Sequence, residues 1–180
     1  MDYSQFLIMR GEISLLLVFL LIFLFDTFGG KKSLKGLSIT ACVLFALHTV
    51  WNIIPADSAT AFGGMYQTSP IASMVKTVLN IGTLIVLLQS VSWSDTPDVK
   101  LRRGEFYELL LVTLFGMYLM VSSGHFLLFF IGLETASLPM AALIAINKKD
   151  TESYEAGAKY LFTAVFSSAV FLLGLSFLYG

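Results

Sequence analysis

Six long apolar runs, separated by short polar breaks, set the pattern of this chain. They predict helices over residues 11–28, 34–54, 71–92, 105–121, 126–146 and 152–179. Residues 106–146 are apolar almost without interruption. One helix of that length would run about 60 Å, twice a hydrocarbon core of about 30 Å. Ser122-Ser123-Gly124-His125 supplies the turn-forming residues near its centre and divides it in two. Residues 55–70, rich in Gly, Ser and Thr between Pro55 and Pro70, read as a loop. Membrane strands are not expected, because the runs are continuous and far longer than the 9–11 residues or so that a barrel strand needs.

Composition sets the class. The 180 residues are 57% hydrophobic and 13% charged, with a mean hydropathy of +0.83. Soluble domains carry about 25% charged residues, so the expected fold is an all-α integral membrane bundle of six transmembrane helices. The net charge of −1 gives no sign of nucleic-acid binding. A single cysteine, Cys42, rules out an internal disulfide and any cysteine-based metal cluster, and two separated histidines argue against a histidine metal site. No phosphate-cradling or haem-attachment motif occurs, so no cofactor is expected on this chain and redox chemistry is not its own. Asp2, Arg10 and Glu12 precede the first run and Lys31, Lys32 and Lys35 follow it. That order is the reverse of a secretory signal, so the first run is expected to be a retained helix.

The loops predict orientation. Lys31, Lys32 and Lys35 fall in the first connection, Lys100, Arg102 and Arg103 in the third, and Lys148 and Lys149 in the fifth. The second and fourth connections hold no basic residue. Cytoplasmic loops carry the excess of Lys and Arg, so these three loops are assigned inside and the N-terminus outside. Trp51 and Trp93 then fall near opposite interfaces, as an aromatic belt requires.

Polar groups at membrane depth carry the functional reading. Glu134 lies 9 residues beyond His125 and 12 before Ile146, near the middle of a crossing. A carboxylate there is too short to reach water, and intramembrane acids face protein and mark ion or proton paths. Pro139 leaves the carbonyl of Thr135 without its helical donor. Thr135 and Ser137 put hydroxyls beside that opening, a combination suited to a hydrated site and also to a packing kink. Lys159, near the start of the sixth run, either meets Glu134 across the helix pair or pairs with Glu155 four residues earlier. Lys76 is expected to snorkel toward the outer interface. His48 is expected to donate between helices, with membership of a proton relay as the alternative, and His125 to sit solvated at a helix end. Asp26, Glu105 and Glu108 lie near the cytoplasmic interface.

Three segments together resemble a known family. They are Glu105-Phe106-Tyr107-Glu108-Leu109-Leu110-Leu111, then Gly132-Leu133-Glu134-x-x-Ser137-Leu138-Pro139, then Glu155-Ala156-x-x-Lys159-Tyr160. They resemble the proton-translocating NADH–quinone oxidoreductase family, subunit N in particular, one of the antiporter-like membrane subunits of respiratory complex I. The resemblance is strong from residue 105 onward and weaker before it. It implies two regions, three N-terminal helices over 1–104 and the first three helices of a proton-translocating five-helix bundle over 105–180. It implies Glu134 and Lys159 as the proton-path residues, with Thr135, Ser137 and Pro139 in support. NADH, flavin, iron–sulfur clusters and quinone would sit on partner subunits, and the partners would be other membrane subunits of complex I and the lipid bilayer. A bacterial inner membrane is the expected location. Family members continue through many more helices, so the chain is expected to be an N-terminal portion that does not translocate protons alone. A cation/proton antiporter subunit and a purely structural membrane anchor are the alternatives.

Overall fold

The computed structural model describes residues 4–28, 34–93 and 102–179. Lys31, Lys32 and Lys100, used above for orientation, lie outside them. The helices are α1 (Ser4–Ile8), α2 (Arg10–Phe28), α3 (Leu34–Trp51), α4 (Pro70–Trp93), α5 (Arg103–Val121), α6 (Phe126–Ile144) and α7 (Thr151–Tyr179). Strands β1 (Ala59–Ala61) and β2 (Tyr66–Thr68) stand between α3 and α4. Every apolar run is therefore helical, as it must be where no water is present to satisfy backbone groups. Among the described residues five helices, α2 and α4 to α7, are long and apolar enough to cross a membrane, and α3 has a shorter apolar stretch, Gly36–Trp51.

Two local expectations are corrected. The segment 55–70 is not simply a loop, because β1 and β2 pair antiparallel with Ala59 opposite Thr68 and Ala61 opposite Tyr66. Gly63 and Gly64, with φ of 67° and 87°, make the turn between them, in the left-handed region that glycine enters without strain. Three-residue strands are too short to show an alternating pattern. A short helix, α1, also precedes the first predicted one, and its five residues carry too little periodicity to be read.

Consecutive helices pack against one another from α2 to α7, and α5 stands at the centre, touching α2, α3, α4 and α6. Leu15, Val18 and Ile22 of α2, Leu37, Ala41 and Phe45 of α3, Leu87 of α4, and Tyr107, Leu111, Leu114 and Tyr118 of α5 form the core. Large side chains elsewhere on α2, α3 and α4, among them Leu17, Leu47 and Val78, remain exposed. In a lipid solvent these are outward faces, because apolar side chains there lose nothing by meeting acyl chains.

The hairpin closes one end of the bundle. Gln67 N donates to Ser122 O at 2.8 Å and Gly124 N to Met65 O at 2.8 Å, so β2 is stitched to the α5–α6 turn. Phe62 N donates to Gln5 Oε1 at 3.1 Å, and an Arg10 guanidinium N–H donates to the Ile54 carbonyl. At the opposite end Asp26 lies against Gly104, so the end of α2 meets the start of α5.

Glycine permits the tightest helix contact. A Cβ on Gly116 of α5 would lie 2.6 Å from Gly132 O and 2.7 Å from Thr135 C of α6, both rigid backbone atoms. Small residues at such crossings are how helices approach closely in membranes. Gly116→Ala should therefore lower the thermal stability of the chain in detergent, at a cost of about 1–3 kcal/mol from overpacking. Gly82→Ala, where no atom lies within 4 Å, should be neutral or stabilising. Equal melting temperatures for the two variants would contradict the crossing.

Candidate functional site

Glu134 sits eight residues into α6, about 12 Å from the hairpin end by helical rise. It is half-buried. Phe130, Glu134, Ala141 and Ala145 recur at steps of four, seven and four residues and so share one face. That face meets α7. The Phe130 ring stacks on Phe171 at 6.5 Å between centroids, and a Cβ on Gly157 would lie 2.7 Å from Ala145 Cβ. Glu134 is thereby turned toward α7, away from the Gly116 crossing with α5. The register set by those two contacts puts residues 167 and 168 of α7 opposite it. Ser168 is buried there, and its hydroxyl has no partner.

Lys159 is not brought to Glu134. It is exposed and pairs with Glu155 at 2.6 Å, the second of the two arrangements the spacing allows. The reason is geometric. Lys159 is two residues beyond Gly157, about 200° around the helix, so it lies on the face opposite α6. It is also eight residues short of the α7 position level with Glu134, a separation of about 12 Å. The supporting hydroxyls turn back on their own helix. Thr135 Oγ1 donates to Ile131 O at 2.7 Å, and Ser137 Oγ donates to Glu134 O at 3.4 Å. Such back-bonding to the preceding turn is usual for Ser and Thr in membrane helices. Pro139 lies inside α6, which continues through it.

A second polar group lies at the hairpin end, beneath β2. Lys76 of α4 is turned inward rather than snorkelling, and its Nζ stands 2.5 Å from Glu12 Oε1 of α2. Glu12 is 1% exposed and Lys76 8%. The Tyr66 hydroxyl donates to Glu12 Oε2 at 2.9 Å, and Ser122 Oγ donates to Oε1 at 3.5 Å. Burial, reinforced by the Glu12 carboxylate, raises the Tyr66 phenol well above its ordinary pKa of 10.0. The Lys76 ammonium also stands 5.2 Å from the Tyr118 ring centroid and 5.5 Å from that of Tyr66. Snorkelling was expected because Lys76 is only six residues inside α4. What turns it is an anion at its own depth on a helix more than sixty residues away in sequence.

Beside this pair, across the Tyr118 ring that faces the Lys76 ammonium, a separate hydrogen-bonded chain runs through the bundle. Tyr118 Oη donates to Asn80 Oδ1 at 2.6 Å, and His48 Nε2 stands 3.3 Å from the same hydroxyl. His48 Nδ1 lies 3.0 Å from Ser14 Oγ and 3.2 Å from Asn52 Nδ2. His48 thus bonds between helices, as expected. His125, likewise as expected, ends a helix, where its Nδ1 accepts from Leu127 N at 3.1 Å and caps α6. Glu12, Tyr66, Asn80 and Tyr118 were not found as site residues from the sequence. Glu12 lies at the edge of its apolar run and reads as flank, and the others are neutral groups with no motif.

The comparisons agree on one family. Residues 123–180 match the family model described as NADH:quinone oxidoreductase/Mrp antiporter, TM. A relative from Phocaeicola vulgatus named NADH-quinone oxidoreductase subunit N is 48% identical over 180 residues, covering all of this chain and 38% of the relative. A relative of the same name from Azobacteroides pseudotrichonymphae is 41% identical over 182 residues, again covering all of this chain and 38% of the relative. One from Magnetococcus marinus is 32% identical over 84% of this chain and 31% of its own length. The chain spans less than two fifths of the curated relatives it matches. The region matched to the family model contains Glu134, Lys159 and Ser168, whereas Glu12, His48, Lys76 and Tyr118 precede it.

Removing one member of a buried ion pair strands the other. Lys76→Met should destabilise the chain by about 3–5 kcal/mol, and Glu12→Gln with Lys76→Met together should recover a large part of that loss. Denaturation in detergent as a double-mutant cycle measures the coupling, and additive losses would mean that the two groups do not interact.

Proposed function

This chain belongs to the NADH-quinone oxidoreductase subunit N family, and on that premise we propose that it forms part of a non-redox, proton-conducting subunit of a membrane NADH:quinone oxidoreductase. The reading rests on one observation above the others. An acid, Glu134, lies about 12 Å deep in an apolar helix and is turned toward a neighbouring helix rather than toward lipid. We assign Glu134 the role of loading and releasing a proton. Thr135, whose carbonyl has no helical donor because of Pro139, together with Ser137 and the unpartnered Ser168 hydroxyl, offers hydrogen-bonding positions to water beside it.

Lys159 contributes from the other side of α7. Its pair with Glu155 lies about 12 Å from the helix start, on a face otherwise occupied by Phe162, Phe166 and Leu173. A charge pair at that depth calls for protein or water next to it. In the assembly it serves as the counter-charge of the path. Six crossings with the N-terminus outside, a bacterial plasma membrane, and neighbouring membrane subunits of complex I as partners complete the reading. NADH oxidation, the electron carriers and quinone belong to other subunits. The description of the matched family also names the Mrp antiporter, which favours a cation/proton antiporter subunit as the second reading. Transport that proceeds without NADH would select it.

Glu134→Gln in the full complex should lower the protons moved per NADH oxidised severalfold while the complex still assembles. Wild-type stoichiometry would refute the assignment. Normal activity per assembled complex with reduced assembly would instead favour a structural anchor. Orientation has its own test. In a Cys42→Ala background, Asp57→Cys should react with an impermeant maleimide from outside the cell, and Lys149→Cys only after permeabilisation. The reverse pattern would invert the bundle.

A further inference from the structure

We propose that the Glu12–Lys76 pair is a second proton-exchange site, one that serves the hairpin end of the bundle and takes water and protons as its ligands. The inference rests on the proton-conducting reading above but uses none of its residues. A pocket of about 20 Å³ opens between Arg10, Glu12, Asn52, Tyr66, Lys76 and Tyr118. That volume holds about one water molecule. Polar atoms from α2, α3, α4, α5 and β2 converge on it.

Depth and connectivity support the assignment. Glu12 lies two residues into α2 and Lys76 six residues into α4, so both sit about 3–9 Å from the hairpin end, shallower than Glu134. Inward of the pair, Asn80 follows Lys76 by one helical turn, and the Tyr118 hydroxyl joins it to His48, Ser14 and Asn52. Asn80 is fully buried and its Nδ2 has no partner, an open donor at the inner end of this chain. Hydroxyl, imidazole and water groups in sequence can pass a proton by donating on one side while accepting on the other. A bundle that needed only a structural ion pair would gain nothing from a polar chain spanning four helices, since buried polar groups are costly unless fully satisfied.

The proton balance is simple. With Glu12 a carboxylate and Lys76 an ammonium, the pair has no net charge. A proton from pocket hydronium converts Glu12 to the acid and leaves one water, and the site then carries +1. Its release to water restores the starting state. The groups facing Glu12 are Lys76 from α4, Tyr66 from β2 and Ser122 from the end of α5. Tyr118 and His48 lie behind Lys76, and Arg10 lies two residues before Glu12 on α2, bonded to the Ile54 carbonyl.

The test uses the full complex in proteoliposomes, with protons moved per NADH, assembly and the pH profile of pumping read together. Glu12→Gln keeps the shape and one accepting oxygen, places an amide donor at the other position, and removes the proton-binding carboxylate. It should lower protons per NADH at least twofold in assembled complex and shift the pH profile, with Glu12→Asp restoring part of the loss. Wild-type stoichiometry in assembled Glu12→Gln complex overturns the proposal. If Glu12→Gln does not assemble, Tyr118→Phe decides. It keeps the ring over Lys76 but cuts the link between Asn80 and His48, so it should lower stoichiometry, and an unchanged value overturns the proposal. Glu134→Gln is measured alongside. A loss there with none at Glu12 defeats this inference alone, and no loss at either position defeats the parent reading as well.

Discussion

A charged side chain at hydrocarbon depth has to find protein, and that requirement shapes the described bundle more than any apolar contact does. Apolar side chains are equally at ease against lipid or against one another, so they do not by themselves decide which helix face turns inward. The Glu12–Lys76 pair does. Its 2.5 Å contact holds α2 against α4, and Tyr66 and Ser122 bring β2 and the end of α5 to the same carboxylate. Four elements far apart in sequence are thereby fixed at one point, and the hairpin is seated over it.

Helix α5 joins this region to the other. Tyr107, Leu111, Leu114 and Tyr118 face α2, α3 and α4, whereas Gly116, about 200° around the helix from Tyr118, faces α6. Because a glycine stands there, the α6 backbone comes close enough for Glu134, on the far side of α6, to face α7. The two polar regions therefore lie on opposite sides of the α5–α6 crossing, one among α2 to α5 and the other between α6 and α7. A shift of α6 against α5 would alter the Glu134 surroundings without disturbing the Glu12–Lys76 pair.

The length and order of the helices were legible in the sequence because long apolar runs bounded by Gly, Ser, Pro and charged residues have no other solution in lipid. Predicted and observed ends differ by up to three residues, as at Trp51, where the helix stops before Ile54. The direction in which side chains face was not legible. Helices such as α2 and α5 are apolar nearly all round, so periodicity carries no sign of the buried face, and Lys76 was read outward. Its inward turn depends on Glu12, which looks like a solvated flank until the fold puts it opposite. The position of Glu134 on an apolar helix was visible, but its face toward α7 required the register set by Gly157 and Phe171. The Lys159 alternative was decided by helix geometry that the spacing to Glu155 already contained.

Shielding of Glu134 from acyl chains by α7 is open to measurement through the collision accessibility of a spin label. In a Cys42→Ala background reconstituted in nanodiscs, labels would be placed at Glu134→Cys and at Val43→Cys. Val43 is an exposed α3 residue about as far from the hairpin end as Glu134. Markedly lower accessibility to dissolved oxygen is expected at 134 than at 43. Equal accessibility at the two positions would put the carboxylate in lipid and contradict that shielding.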